Sequence, residues 1–219
     1  MSKRRAVIFD LDGVIVDTAS YHYIAWRKMA NDLGFDISLE QNEQLKGVSR
    51  VHSLQQILGW GNKQVSESEF DTMMTQKNTH YLELISNLSE DDLLPGVKPI
   101  LDYLSHRGIP FALGSASRNA RPILKGLKIA DQFAAVVDGT DVTKAKPNPE
   151  VFLIAAEKMK VEPVQCVVFE DAAAGVEAAK RAGMLCVAIG DSTVLGGADY
   201  VFSSFSEIST EFIDQIIRN

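Results

Sequence analysis

Asp10 and Asp12 stand one residue apart directly after the apolar run Ala6-Val7-Ile8-Phe9, and Gly13 completes a turn signal. Two carboxylates that close at the end of a buried strand are costly unless a cation or a proton neutralises them. Magnesium suits such a place, because it takes oxygen ligands and keeps room for water and a substrate phosphate. Asp before Gly is also ordinary turn chemistry, so this motif alone leaves a plain turn open. A second acidic pair, Glu170-Asp171, ends the run Cys166 to Phe169 in the same way. Asp171 by itself reads equally as a helix N-cap ahead of Ala172 to Gly175. The coincidence of the two pairs favours a metal.

Two further stretches could hold an anion. Gly114-Ser115-Ala116-Ser117 follows the apolar run Ile109 to Leu113 and precedes a helical pattern, which turns hydroxyls and backbone N–H groups toward an anion's place. A serine-containing loop is also a common connection. Lys146 sits in Lys144-Ala145-Lys146-Pro147-Asn148-Pro149, where the proline predicts an extended, rigid segment. Without neighbours it would be a solvated surface lysine.

The elements that must position these groups show in the hydrophobic pattern. Ala6 to Phe9, Ile109 to Leu113, Val167 to Phe169 and Leu185 to Ile189 are short continuous apolar runs, as in strands buried on both faces. Between them, helical spacing covers Val97 to Ser105, Ala120 to Leu127, Glu150 to Met159 and Gly175 to Ala182. That alternation predicts an α/β fold, a Rossmann-like parallel sheet whose ligands bind at the carboxyl ends of the strands. Residues 17–92 break the rhythm. His22 to Leu33, Ser49 to Leu58 and Ser66 to Leu84 read as helices with no strand-like run between them. The stretch is too long for a connection, so the expected division is a core of 1–16 and 93–219 with a small helical domain, 17–92, inserted after the first strand.

Composition bounds the partners. The chain has 219 residues, 46% of them hydrophobic, enough to bury a core and too many for a disordered chain. Lys and Arg number 22 against 29 Asp and Glu, a net charge of −7, so no general basic field exists for nucleic acid or an anionic bilayer. Cys166 and Cys186 lie within apolar runs and offer neither a disulfide framework nor a zinc spacing. The apolar run after the basic start is too short for a signal or a span, which makes the cytoplasm the expected compartment. A monomer is the default expectation.

Asp10-Leu11-Asp12-Gly13, Ser115, Lys146 with its proline, and Glu170-Asp171 stand in the order and context of the four motifs of the haloacid dehalogenase superfamily, which this chain resembles from end to end of its core. The resemblance implies a Rossmann-like core, a nucleophilic Asp10 that becomes phosphorylated, and one magnesium ion held by Asp10, the Asp12 main chain, Glu170 and Asp171. The helical insert resembles the superfamily's small cap. Within it, Thr18, His22 and Trp26, the stretch Asn42 to Arg50, Ser53 and Lys77-Asn78 resemble the superfamily's sugar-phosphate mutases. So does Ser115-Ala116-Ser117-Arg118-Asn119, although Arg118 stands where a lysine is expected, and Ala173 departs from the serine or glutamine often found there.

The expectation that follows is interconversion of β-glucose 1-phosphate and glucose 6-phosphate through an aspartyl-phosphate and β-glucose 1,6-bisphosphate, the latter also the primer. Ser115 and Lys146 would surround the transferring phosphoryl group, and Asp12 would be general acid and base. Arg50, Ser117 and Asn119 are candidates for the distal phosphate. The resemblance puts His22 near Asp12, Lys46 and Gly47 on the sugar hydroxyls, and Lys77 as further positive charge. Thr18, Trp26, Leu45, Val48, Ser49, Ser53, Ala116 and Arg118 complete the expected substrate contacts. Trp26 and His22 share a helix face, which by spacing alone reads as core packing. Two other readings compete: a sugar-phosphate phosphatase of the same superfamily, whose acceptor is water, and a non-catalytic sugar-phosphate-binding regulator.

Overall fold

The computed structural model describes residues 6–45 and 48–218. Lys46 and Gly47 lie outside the described residues. The chain enters through β1 (Ala6–Phe9) and leaves at once into α1 (Ala19–Asp32), α2 (Leu39–Glu43), α3 (Arg50–Trp60) and α4 (Glu67–Leu84). It returns through α5 (Val97–His106), β2 (Phe111–Gly114), α6 (Ala120–Gly126), β3 (Ala135–Val137), α7 (Glu150–Lys158), β4 (Cys166–Glu170) and α8 (Ala173–Arg181). β5 (Leu185–Ile189), α9 (Ser192–Leu195), β6 (Tyr200–Phe202) and α10 (Thr210–Arg218) complete it.

Among the described residues the sheet has six strands, all parallel, in the order β3-β2-β1-β4-β5-β6. Successive residues of a strand face opposite sides, so both sides need apolar partners. Val7 and Phe9 pack with α5, α6 and α10 in one core, whereas Ala6 and Ile8 pack with α7 and α8 in another. This explains why the strands read as unbroken apolar runs. Strand order reverses at β1, with crossovers running to β2 on one side and β4 on the other. In doubly wound sheets ligands bind at such a switch point.

The helical stretch 17–92 has its own core, in which Trp26, Met29, Leu54, Ile57 and Met73 pack together. Its base is narrow: Val16 bridges Leu93, and Leu94 N–H donates to the Ile15 carbonyl, so the chain leaves and re-enters the core at one point. Ser66 begins α4 with a reciprocal capping box to Glu69, which fixes where this longest helix starts.

Candidate active site

Register brings the acidic pairs together. Phe9 is paired with Phe169, and Asp10 N–H donates to the Phe169 carbonyl, so Asp10 and Glu170 emerge side by side from β1 and β4. Gly13, at φ +81°, allows the Asp12 loop to close against β4: a side chain there would place its Cβ 2.0 Å from Asp171 Oδ2. Lys146 arrives from the far side. Its ammonium donates to Asp10 Oδ1 and to Glu170 Oε1, each at 2.5 Å, and all three groups are buried. The expected extended segment around Lys146 is instead a turn with a cis Lys146-Pro147 peptide, because the Glu150 carboxylate gathers the N–H groups of Thr143 and Lys144.

Burial dominates the electrostatics. It raises the Asp10 carboxyl to about 6, with Lys146 opposing the rise and the Glu170 carboxylate adding to it. It raises Asp12 to about 8, helped by the charge of Asp10. Asp12 Oδ1 is buried without a hydrogen-bond partner. Glu170 Oε2 accepts the N–H groups of Asp171 and Ala172, fixing its orientation.

The expected magnesium ligands can be weighed on these facts. Among the described residues no three His, Cys, Asp or Glu side chains are gathered closely enough to hold a metal by themselves. The Lys146 ammonium stands between two of the expected ligands and neutralises them. Even so, Asp10, Asp12, Glu170 and Asp171 set four carboxyl groups against that one ammonium, all with oxygen donors. Hard oxygen donors whose carboxyl groups outnumber the one ammonium beside them fit a hard divalent cation.

A cleft opens above these groups, lined by polar and charged side chains among apolar ones, as in a site for a small ligand. Asp10, Asp12, Glu170 and Asp171 form its floor with Ser115, Ala116, Ser117 and Arg118, while His22, Trp26, Leu45, Val48, Arg50, Ser53 and Lys77 line it from the helical stretch. Ser115 Oγ accepts the Ser117 N–H and Ser117 Oγ accepts the Asn119 N–H, which leaves each hydroxyl proton free to be donated. Arg50 is partly buried; burial and the nearby Arg118 guanidinium hold its pKa below the usual arginine range. Two cations therefore come close to each other along the cleft, a place an anion would stabilise.

Other expected residues do not line the cleft. Ser49 spends its hydroxyl on the His52 N–H as the N-cap of α3, which positions Arg50 at the first turn. Thr18 is wholly buried at the base of the helical stretch, its hydroxyl near that of Tyr81 without a well-formed hydrogen bond. Lys146 lies beneath the surface, and Asn119 turns toward α4. Trp26 plays both parts considered for it: it belongs to the helical core and borders the cleft. Lys77 Nζ lies 4.5 Å above its ring and 4.7 Å above that of Tyr81.

Sequence reasoning missed Asn42 and Tyr81. Asn42 is a nearly buried amide on α2 that lines the cleft, and its only signal was its place in a stretch singled out as a whole. Tyr81 stacks on His22 with ring centroids 4.1 Å apart and supports it from α4. The i to i+4 spacing from Lys77 could have shown that both face the same way.

The chain is similar along most of its length to known proteins. The β-phosphoglucomutase of Bacillus subtilis is 43% identical over 213 residues, covering 96% of this chain and 94% of that protein. A phosphorylated carbohydrates phosphatase of Thermotoga maritima is 32% identical over 181 residues, 82% of either chain. The crystal structure of β-phosphoglucomutase from Clostridium difficile superposes with a TM-score of 0.94 at 41% identity, covering 98% of this chain and 97% of that one. The model of the haloacid dehalogenase-like hydrolases matches residues 4–183. That match takes in the ends of β1, β2 and β4 on which the cleft is built, and the chain belongs to the haloacid dehalogenase-like hydrolase family.

Proposed function

We propose that the chain is a β-phosphoglucomutase, interconverting β-D-glucose 1-phosphate and D-glucose 6-phosphate through phospho-Asp10 and β-glucose 1,6-bisphosphate. The observation that carries this reading is a single cleft with two places for an anion: Ser115 and the nucleophile Asp10, with Lys146 beneath them, and the neighbouring guanidinium groups of Arg50 and Arg118. A bisphosphorylated sugar needs both places, whereas hydrolysis of a monophosphate needs one.

In one half-reaction the phosphoryl group passes from phospho-Asp10 to the 6-hydroxyl of the sugar. The bond to the Asp10 oxygen breaks, the bond to O6 forms, and Asp12 takes the hydroxyl proton. The bisphosphate then turns end for end. Asp10 attacks the phosphorus on O1, that oxygen leaves with the proton returned by Asp12, and glucose 6-phosphate departs from a rephosphorylated enzyme. A carboxyl group raised to about 8 holds its proton near neutral pH, as the acid step requires. Lys146 stays on Asp10 and neutralises its charge, and the serine hydroxyls donate to phosphoryl oxygens. Lys77 and Arg50 bring positive charge from the helical stretch, which acts as a cap that excludes water while Asp10 is phosphorylated. Asp10, the Asp12 main-chain carbonyl, Glu170 and Asp171 would hold one magnesium ion per chain, which neutralises charge on the transferring phosphoryl group.

No described helix is long and apolar enough to cross a membrane, and we assign the enzyme to the cytoplasm as a monomer acting on small sugar phosphates. The test is formation of glucose 6-phosphate from β-glucose 1-phosphate with and without primer and magnesium. Turnover should need the 1,6-bisphosphate primer, stop on chelation and return with added magnesium. Turnover indifferent to the primer would overturn the reading.

A further inference from the structure

Asn119 occupies the N-cap position of α6, where an asparagine side chain ordinarily accepts a backbone N–H of the first turn. It makes no such bond. Its side-chain Nδ2 instead donates to Oδ1 of Asn78 on α4, 2.9 Å away. The helix thus goes without a stabilising cap so that a core loop can reach the helical stretch. Asn119 is only 6% exposed, so this amide is committed rather than free in solvent.

The rest of the loop is held from the core. Ser115 N–H donates to the Val137 carbonyl and Gly139 N–H to the Ser117 carbonyl, which ties the loop to β3 and its following turn. Ser115 and Ser117 hydroxyls accept the loop's own N–H groups. The Asn119 amide is therefore the group that this loop extends to α4. On that helix, Asn78 directly follows Lys77, whose side chain is buried against the cleft. Seating Asn78 on the loop therefore also seats Lys77.

We infer that Asn78 is a positioning residue for the distal phosphate: by accepting from Asn119 it seats α4 on the loop whose Ser117 and Arg118 line the cleft. Phosphate binding and docking of α4 on the core loop become one event. This inference rests on the mutase reading, and its test separates the two. The concentration of β-glucose 1,6-bisphosphate giving half-maximal rate is measured for wild type, Asn78→Ala, Asn119→Ala and the double variant, with thermal melting of each. Asn78→Ala should raise that concentration about fivefold, the loss of one net hydrogen bond, with kcat changed by less than about twofold. It should add nothing in the Asn119→Ala background, a non-additivity that a general weakening of α4 would not produce. An unchanged half-maximal concentration, or full additivity, would overturn the inference. If wild type yields only free phosphate, the mutase reading fails. The same cycle followed by phosphate release still decides Asn78, because a phosphatase acting on this bisphosphate also has to hold the second phosphate.

Discussion

Lys77 Nζ lies 2.7 Å from His22 Nδ1, joining two helices of the stretch 17–92 through a pair of groups that cannot both carry a proton at that contact. As the lysine donates, the imidazole is neutral with its proton on Nε2. Burial first, then the Lys77 and Arg50 charges, hold His22 well below its usual range. Burial likewise lowers Lys77.

The pair makes this helical stretch sensitive to acid. A histidine whose folded pKa is depressed binds its proton more readily in the unfolded chain, so stability is complete above the unfolded value of about 6.5 and falls as pH drops below it. Between about pH 7.5 and 5.5, wild type should lose about 1 kcal/mol more stability than His22→Gln. Urea unfolding at the two pH values measures this. Parallel losses would show that His22 is not held neutral.

Lys146 answers for two buried carboxylates at once. Lys146→Ala leaves Asp10 and Glu170 facing each other, which should cost about 3 kcal/mol in chelator at neutral pH. The loss should shrink in mild acid, where the Asp10 carboxyl takes up its proton, and added magnesium should recover part of it. Denaturant unfolding under the three conditions gives the answer.

Asp12 should be separable from Asp10. Asp12→Asn removes the proton carrier but not the nucleophile, so sugar turnover should fall about a thousandfold. Transfer from acetyl phosphate to Asp10, whose leaving group needs little protonation, should survive as a stoichiometric burst. Near-normal sugar turnover would remove Asp12 from its role.

Arg50→Ala tests the second place for an anion in the cleft. Mutase flux should fall at least about tenfold, as for loss of a charge-assisted hydrogen bond, and much more than release of free phosphate. Equal losses in the two rates would mean that Arg50 does not distinguish the sugar acceptor from water.

The floor of the site was legible in sequence because each of its groups follows a strand, and a strand end fixes where the next residue lies. Asp10, Ser115 and Glu170 all sit at such ends, and the pairing of Phe9 with Phe169 turns two distant motifs into neighbours. The edge strands were not legible. β3 and β6 have three residues each and are partly exposed, so Ala135–Val137 and Tyr200–Phe202 look like loop apart from their pairing. The turn at Lys146 escaped because the Glu150 carboxylate that shapes it reaches back from the start of a later helix. The partner of Asn119 escaped for a stronger reason: nothing in either residue's neighbourhood marks a contact across 41 positions.

Phospho-Asp10 should give its phosphoryl group to a sugar hydroxyl and not to water. Phosphorus NMR of the enzyme with magnesium, β-glucose 1-phosphate and a trace of β-glucose 1,6-bisphosphate follows glucose 6-phosphate and free phosphate together. Nearly stoichiometric glucose 6-phosphate with little free phosphate is expected. Free phosphate as the main product would contradict it, placing water at Asp10 and making the chain a sugar-phosphate phosphatase.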